Sequence, residues 1–385
     1  MKDIKHTNPF IVAGKIPPQY FCDRREESRR LTRYVTNGNN LVLISPRRMG
    51  KTGLIQFCYD LPEIRDNYET FYLDILQTSS LKEFTFLFGR EIFARLASYG
   101  TKALRQFAAM LRSISGSFGF DPISGNPTFN LQMGDIANPQ ITIDEIFNYL
   151  KDSSTPTIIA IDEFQQIANY KEKNVEALLR SYIQQLPNTN FIFAGSERHM
   201  LQRMFSDSAR PFYNSASFLE LKAIEIQEYV DFATRLFTEN NKAIDEETIK
   251  DVYCTFDGNT FYMQKTLNMA FSMTDLNGKC TSDIIDNAIN EILASYDTIY
   301  REMLASVNEP QKQLLLAIAK VREATGITSS EFIKRHSLTS ASSVQSAARQ
   351  LLSSSYLTQH PKTTTSPTKY SLQDPLLRLW LLNTY

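Results

Sequence analysis

Three neighbouring residues near the start of the chain could handle a phosphate group. Gly50, Lys51 and Thr52 end a short basic loop that follows the apolar run Leu41–Ile44. A lysine in this position reaches the β- and γ-phosphates of a nucleotide, and the hydroxyl beside it holds Mg²⁺. Glycine lets the backbone come close to the phosphates. The segment therefore predicts a phosphate-binding loop between a strand and a helix.

The loop departs at one position from the pattern G-x-x-x-x-G-K-[ST], because Ser45 stands where the first glycine is expected. An ordinary basic turn is the alternative interpretation. The apolar strand before the loop and the helical pattern after it favour phosphate binding. The residues that we expect around the phosphates are Ser45, Pro46, Arg47, Arg48, Met49, Gly50, Lys51, Thr52 and Gly53.

Two acidic residues follow a β-branched apolar run at residues 157–161. In a parallel sheet the carboxyl end of a buried strand faces the ligand crevice, and Asp162 and Glu163 would lie there. An aspartate in this place organises Mg²⁺, and a glutamate beside it activates water as a general base. The same acids could instead begin a helix. Their position downstream of Lys51 favours the catalytic interpretation.

Ser196 ends a further apolar run and is a candidate sensor of the γ-phosphate. Hydrolases with a catalytic glutamate usually place the sensor strand between the phosphate-loop strand and the strand that ends in the acids. A polar residue at its end then touches both phosphate and water. Alternatively, Gly195 and Ser196 cap the helix that begins near Glu197.

The elements that must position these side chains alternate along the chain. Apolar strands at 41–44, 71–75, 157–161, 190–196 and 217–221 are separated by helical patterns. Such alternation predicts βαβ units, a parallel sheet and hence an α/β fold.

We divide the chain into a core at 1–222, a helical lid at 223–300 and a winged-helix domain at 301–385. The core carries an insertion at about 81–135, which is helical and then forms a β-hairpin at 113–133. The hairpin is either a functional arm or an accessory element packed on the core.

The last 85 residues carry a net charge of +5, so the rest of a chain of total charge −1 carries −6. Arg349 on the third predicted helix, with Lys362 and Lys369 on the wing, could contact double-stranded DNA. Winged helices also bind proteins, so a protein partner is the alternative. We expect the only tryptophan, Trp380, to dock the C-terminal segment onto the core.

Composition indicates a globular protein, with 42% hydrophobic and 22% charged residues among 385. No apolar run has the length of a membrane span, and the first residues lack the apolar segment of a signal peptide. We therefore expect a cytoplasmic protein without a membrane partner. The four cysteines are scattered, which argues against a zinc site and a disulfide framework.

In combination, these segments resemble a known family. Five segments occur in a fixed order along the chain, namely the segment at 20–27, S-P-R-R-M-G-K-T, I-D-E-F-Q, A-G-S and R-P-F-Y. The chain is similar to the archaeal-type P-loop ATPases, a branch near the STAND and AAA+ ATPases and similar to the origin-recognition ATPases. The resemblance implies a P-loop NTPase sheet of the ASCE/AAA+ type, followed by a helical lid and a winged helix.

The resemblance also implies residue roles. Asp23 and Arg24 would lie against adenine and ribose, and Arg210 would be an arginine finger or a local switch arginine. The alternative for Arg210 is a solvated loop residue. Thr260 replaces the proline of the family's Gly-x-Pro turn. The preference for adenine over guanine is likewise implied by the resemblance.

These observations predict an ATP-binding, Mg²⁺-dependent ATPase that acts as a nucleotide-driven switch on DNA or on a protein partner. One alternative is a nucleotide-gated protein-interaction scaffold with little turnover, which Ser45 and Thr260 favour. Another is an origin-like DNA-binding initiator. The sequence leaves the oligomeric state open, and with it whether Arg210 acts within its own subunit or on a neighbour.

Overall fold

The computed structural model describes residues 8–22, 24–96, 101–120, 127–129, 131–360 and 367–385. The chain forms two compact units. One comprises Lys15–Lys222, and the other comprises Ala223–Tyr385 together with the segment that ends at Gly14. The finer division into core, lid and winged helix stays a prediction.

The unit Lys15–Lys222 is built around a parallel sheet of five strands in its described part, in the order β2-β5-β6-β1-β7. A separate antiparallel pair, β3 and β4, forms the predicted hairpin, whose turn at 121–126 lies outside the described residues. The strands are β1 Leu41–Ile44, β2 Glu69–Asp74, β3 Phe118–Phe120, β4 Pro127–Phe129, β5 Thr157–Asp162, β6 Thr189–Gly195 and β7 Ser217–Glu220.

Helices cover both faces of this sheet. Alternate residues of a strand point to opposite faces, and in β1 Leu41 and Leu43 join one buried cluster while Val42 and Ile44 join another. Strands buried on both faces read as continuous apolar runs, which is why the sequence predicted them. The helices are α1 Arg25–Thr36, α2 Lys51–Asp60, α3 Pro62–Arg65, α4 Leu81–Leu96, α5 Thr101–Met110, α6 Pro139–Asp152, α7 Val175–Ile183 and α8 Arg198–Ser206.

The sheet order brings the proposed catalytic strands together. β6 lies between β5 and β1, so the strand before Ser196 separates the strand before the loop from the strand ending in Asp162. The strand before Ser196 thus lies where the sequence predicted it, and the sensor role of Ser196 stays a prediction. The carboxyl ends of parallel strands lie at one edge of the sheet, and the candidate residues meet there.

The second unit is mainly helical. α12 continues through the boundary predicted between residues 300 and 301. None of the helices described in either unit is both long and apolar enough to cross a bilayer. The elements are α9 Ile226–Glu239, β8 Ala243–Ile244, α10 Glu246–Thr255, α11 Thr260–Met273, β9 Lys279–Cys280, α12 Ser282–Ser306, α13 Glu309–Val321, β10 Ala324–Thr325, α14 Ser330–Arg335, α15 Ala341–Ser353, β11 Leu357–His360, β12 Lys369–Leu372 and α16 Pro375–Thr384.

Asp374 ties three helices of this unit together. Its Oδ2 accepts the hydroxyl of Tyr262 on α11 at 2.8 Å and that of Tyr300 on α12 at 3.2 Å. Its Oδ1 caps α16 by accepting backbone N–H groups. Trp380 of α16 is 3% exposed and donates to Asp297 of α12 at 2.9 Å. This tryptophan therefore docks the C-terminal helix onto α12 within its own unit, and docking onto the core at 1–222 stays a prediction.

Candidate active site

The predicted phosphate-binding loop joins β1 to α2. Gly50 precedes α2 in the left-handed conformation, with a φ of 86°, which suits glycine. Ser45 is fully buried, and its hydroxyl donates to the Pro46 carbonyl at 2.9 Å. Ser45 is not among the residues of positive φ, so this position does not need the conformational freedom of the glycine that the pattern expects.

Lys51 lies between the two predicted acidic residues. Its Nζ is 2.7 Å from Asp162 Oδ1 and 2.9 Å from Glu163 Oε1. The three side chains are 9%, 5% and 14% exposed, so little water screens their attraction. The start of α2 and the end of β5 thus bring together residues that are more than a hundred positions apart.

Thr52 and Tyr72 bind the other oxygen of the same aspartate. Asp162 Oδ2 accepts the Tyr72 hydroxyl at 2.6 Å and the Thr52 hydroxyl at 3.2 Å. Sequence reasoning missed Tyr72, which lies on β2 beside Ala160 of β5. Its place near the end of a neighbouring strand was the available signal.

The oxygen atoms of Thr52 and Asp162 fit a magnesium ion, because Mg²⁺ takes oxygen ligands and is usually held by one or two carboxylates plus substrate phosphates. Asp74 pairs with Asp162 in register. Burial raises the pKa of Asp74, and the neighbouring carboxylates of Asp162 and Glu163 raise it further. In the part of the chain that the structure describes, no group of three or more His, Cys, Asp and Glu side chains could hold a metal ion.

Glu163 is held by hydrogen bonds on both carboxylate oxygens. Oε1 faces Lys51, and Oε2 accepts Gln165 Nε2 at 2.6 Å and Ser196 Oγ at 2.9 Å. Burial raises the pKa of Glu163, but the Lys51 ammonium and the hydrogen bonds from Lys51, Gln165 and Ser196 outweigh burial, so the pKa lies below its ordinary value. The carboxylate is therefore ionised at neutral pH.

Gly195 leaves room for Gln165, a second residue that sequence reasoning missed. Gln165 is 2% exposed. A Cβ on Gly195 would lie 2.1 Å from Gln165 Oε1 and 2.6 Å from Leu201 Cδ1. The glycine before Ser196 thus permits the amide that binds Glu163 to approach the end of β6.

Arg24 contacts the backbone of the phosphate-binding loop. Its buried guanidinium donates to the carbonyl of Met49 at 2.8 Å and to the carbonyl of Lys222 at 2.9 Å, and it pairs with Glu27. These bonds hold the backbone of the phosphate loop. Asp23, its partner in the predicted adenine and ribose contact, lies outside the described residues, and that contact stays a prediction.

The other predicted loop residues differ in environment. Pro46, Arg47 and Arg48 are exposed, and Met49 is buried. Arg47 Nε lies 3.5 Å from Ser196 Oγ. A Cβ on Gly53 would lie 3.5 Å from the ring of Phe21, so Gly53 faces the N-terminal part of the unit.

The contacts described for Arg210 are not with the cluster of Lys51, Asp162 and Glu163. It forms an ion pair with Glu176 of α7 at 2.5 Å and is 31% exposed. None of the contacts described for it reaches Lys51, Asp162 or Glu163. The arginine-finger role of Arg210 stays a prediction.

The predicted residues of the second unit have the following positions. Thr260 is the first residue of α11, and Asn259 caps that helix. Proline is common at the first position of a helix, which is the position that Thr260 occupies here. Arg349 is exposed on α15, and Lys369 of β12 pairs with Glu323 at 2.6 Å. Lys362 lies outside the described residues.

Known structures share this fold. The chain is similar to the Walker-type ATPase PABY2304 of Pyrococcus abyssi, at 17% identity and a TM-score of 0.66, with 97% of this chain and 99% of that chain covered. It is similar to the ORC2 protein of Aeropyrum pernix in ADPNP-ADP complexes, at 14% identity and a TM-score of 0.61, with 98% of this chain and 97% of that chain covered. It is also similar to the ORC1 protein of Aeropyrum pernix in complex with DNA, at 13% identity and a TM-score of 0.51, with 98% of this chain and 97% of that chain covered.

Family models give the assignment. A model described as "Probable winged helix domain" matches residues 298–383. A comparison with curated proteins gives no match. The model described as "ATPase domain predominantly from Archaea" matches residues 21–266, which is more than half of the chain. The P-loop fold and the winged helix that the sequence predicted are confirmed, and the protein belongs to the family of ATPase domains found predominantly in Archaea.

Proposed function

We propose that this protein is a Mg²⁺-dependent ATPase whose nucleotide state changes its action on DNA or on a protein partner. The observation that carries the proposal is the position of Lys51, whose Nζ lies within 2.9 Å of both Asp162 and Glu163. Thr52 donates to the same Asp162. A phosphate-binding ammonium, a metal-binding pair and a general base are thereby assembled at one edge of the sheet.

Nucleotide binding would change the partners of Lys51. In the structure the ammonium forms ion pairs with both carboxylates. The β- and γ-phosphates of ATP compete for the same ammonium. When Lys51 turns to a phosphate, Glu163 Oε1 becomes free to accept a proton from water. The hydrogen bonds from Gln165 and Ser196, which also lower the pKa of Glu163, stay on Oε2 when Lys51 leaves.

Thr52 and Asp162 are the residues that would hold Mg²⁺, since their oxygen atoms are suitable ligands. Bound Mg²⁺ would supply positive charge for the phosphate oxygens. Ser196 donates to Glu163 Oε2 at 2.9 Å and would orient the base. Arg210 is proposed to neutralise the γ-phosphate, and for this it must leave Glu176.

Steady-state ATP hydrolysis with Mg²⁺ tests the proposal, together with ATP binding, on wild type and Glu163→Gln. Glu220→Gln is the matched control, because Glu220 ends β7 of the same sheet but pairs with Arg198. We expect wild type and the control to turn over ATP. Glu163→Gln should bind ATP with turnover lower by about 10²–10⁴-fold, the usual contribution of a general base.

Different results would exclude different parts of the proposal. If wild type binds no ATP, the assignment of Ser45–Thr52 to phosphate binding is wrong. If wild type and Glu163→Gln hydrolyse ATP equally, Glu163 is not the base. If both bind ATP and neither hydrolyses it, the protein is a nucleotide-gated scaffold under these conditions.

The scaffold is the second candidate, and the hydrogen bonds of Glu163 favour it. Oε2 is bound by Gln165 and Ser196 while Oε1 faces Lys51, so the base is restrained before a partner acts. For an ATPase that a partner activates, addition of that protein partner should raise turnover. A scaffold would bind that partner in a nucleotide-dependent manner without such an increase.

Double-stranded DNA is the partner that we propose to test first. One similar protein of this fold was solved in complex with DNA, and residues 301–385 carry a net charge of +5. Arg349 is exposed on the third helix of the predicted winged helix. Fluorescence anisotropy with a short duplex should show affinity that falls steeply with salt and is weaker for Arg349→Ala. Arg301→Ala, an exposed arginine on α12, is the control.

An origin-like initiator would bind one duplex sequence much more tightly than others. Equal affinity for all duplexes would exclude that alternative. If the protein binds no duplex at low salt, a protein partner is the alternative that stays. Lys369→Ala is the less informative variant, because Lys369 is already paired with Glu323.

A further inference from the structure

Tyr72 contacts both proposed metal-binding residues although it belongs to neither sequence motif. Its hydroxyl oxygen is 2.6 Å from Asp162 Oδ2 and 3.2 Å from Thr52 Oγ1. The register of the sheet explains this position. Tyr72 of β2 pairs with Ala160 of β5, and Ala160 lies on the same face of its strand as Asp162 two residues later. The long phenol side chain extends along the sheet to that carboxylate.

The Asp162 carboxylate is surrounded by four donors. Oδ1 faces Lys51 Nζ at 2.7 Å and accepts the Glu163 backbone N–H at 2.9 Å. Oδ2 accepts from Tyr72 and Thr52. A carboxylate has about four acceptor positions, so these donors fix both its plane and its rotation.

The hydroxyl protons determine what the Thr52 oxygen offers a cation. Each hydroxyl has one proton, and the 2.6 Å separation places the Tyr72 proton toward Asp162 Oδ2. The Thr52 proton then points either to Asp162 Oδ2 or to the Tyr72 oxygen, at 3.2 Å in both cases. In either arrangement the lone pairs of the Thr52 oxygen stay available to a metal ion.

We propose that Tyr72 is a positioning residue for the Mg²⁺ site and that it acts by fixing the Asp162 carboxylate. The inference rests on the proposed function, because it concerns the same metal ion. Groups that hydrogen-bond to metal ligands orient them, and their loss typically costs about 10–100-fold in metal affinity. Tyr72 does not touch the ion in this arrangement, so phosphate binding by the loop does not require its hydroxyl.

The test compares Tyr72→Phe with Tyr59→Phe. Each substitution removes one hydroxyl and keeps the ring. Tyr59 of α2 is the matched control, because its hydroxyl donates to the Phe71 carbonyl of the same strand β2 at 3.0 Å. Two quantities are measured, namely ADP affinity in excess EDTA and Mn²⁺ affinity by electron paramagnetic resonance at saturating ADP.

We expect Tyr72→Phe to raise the Kd for Mn²⁺ by about 10–100-fold and to leave ADP affinity in EDTA unchanged. Tyr59→Phe should match wild type in both measurements. In hydrolysis assays, Tyr72→Phe should need a higher Mg²⁺ concentration for half-maximal rate and recover the wild-type kcat at saturating Mg²⁺.

Three results would overturn the inference while leaving the proposed function intact. The Mn²⁺ affinity of Tyr72→Phe could equal that of wild type. Tyr59→Phe could show the same loss, which would indicate a general role of β2. ADP affinity in EDTA could fall by the same factor as Mn²⁺ affinity, which would indicate damage to the loop. If wild type binds neither ADP nor Mn²⁺, the proposed function is wrong and the inference fails with it.

Discussion

Substitution of Lys51 by methionine should destabilise the unit Lys15–Lys222 in the absence of nucleotide. The ammonium pairs with both Asp162 and Glu163, and the Lys51 side chain is 9% exposed. Methionine keeps an unbranched side chain of similar length but removes the charge. Removing one partner of a buried ion pair costs about 3–5 kcal/mol, because the other charge stays buried. We expect the free energy of unfolding near neutral pH to fall by that amount.

Lys15 provides the matched control. Its Nζ lies 2.7 Å from Asp60 Oδ2, the same separation as between Lys51 and Asp162, but the Lys15 side chain is 59% exposed. Exposed ion pairs contribute about 0–1 kcal/mol. Lys15→Met should therefore change the free energy of unfolding by less than about 1 kcal/mol. Because the two ion pairs have the same N–O separation, a difference between the two variants measures the effect of burial.

The deficit of Lys51→Met should depend on pH. In wild type the pKa of Glu163 is lowered, so its contribution to stability is present above the unfolded pKa of about 4.3 and is lost as pH falls through the folded value. Without Lys51, burial raises the pKa of Glu163, and protonation stabilises the folded variant. The deficit should then shrink as the pH falls from neutral toward the unfolded pKa of about 4.3.

Urea denaturation followed by far-UV circular dichroism measures these differences. Equal losses for Lys51→Met and Lys15→Met would refute the argument from burial. A deficit that is constant or grows on acidification would refute the assignment of the cost to unneutralised carboxylates.

Three further predictions concern other described contacts. Gly195→Ala should lower the free energy of unfolding by about 1–3 kcal/mol, measured with urea, because its Cβ would lie 2.1 Å from Gln165 Oε1. Arg24→Met should weaken ATP and GTP binding equally, by about tenfold or more in titrations, because Arg24 holds the loop backbone at the Met49 carbonyl. Asp374→Ala should destabilise its unit by about 2–3 kcal/mol, followed by the fluorescence of the only tryptophan.

Controls and contrary outcomes differ among these predictions. Gly134→Ala should be near neutral, since an added Cβ there meets nothing within 4 Å, and a comparable loss would refute the packing argument. A changed ratio of ATP to GTP affinity in Arg24→Met would indicate a contact with the base. Asn308→Ala removes a helix cap that no tyrosine joins, so an equal loss there would show that Tyr262 and Tyr300 contribute little to Asp374.

The sequence predicted that the main candidate residues would lie together, because chain order and strand polarity suffice for their proximity. Lys51 and Thr52 follow one buried strand, Asp162 ends another, and parallel strands end at one edge of the sheet. Tyr72 and Gln165 could not be predicted in this way. The contact of Tyr72 depends on lateral register between strands, and that of Gln165 depends on space left by Gly195.

Element lengths in the second unit were harder to predict. The pattern predicted a helix at 282–293, whereas α12 continues to Ser306. Residues 294–306 contain neither glycine nor proline, so no local signal stops the helix, but their apolar spacing is irregular. Packing explains the continuation, since Tyr300 and Leu304 of this segment are buried. Roles implied by resemblance alone, such as those of Arg24 and Arg210, depend on partners that a sequence does not display.

The bonds at Asp374 restrict how this chain can recombine during evolution. Tyr262 and Tyr300 are buried and lie 112 and 74 positions before their shared acceptor. A crossover that replaced residues 301–385 with another winged helix would remove that acceptor. The loss of this shared acceptor costs up to about 1–3 kcal/mol for each buried hydroxyl. We therefore expect exchanges that bring an acceptor in the same place, or that change both tyrosines, to keep more of the stability of this unit.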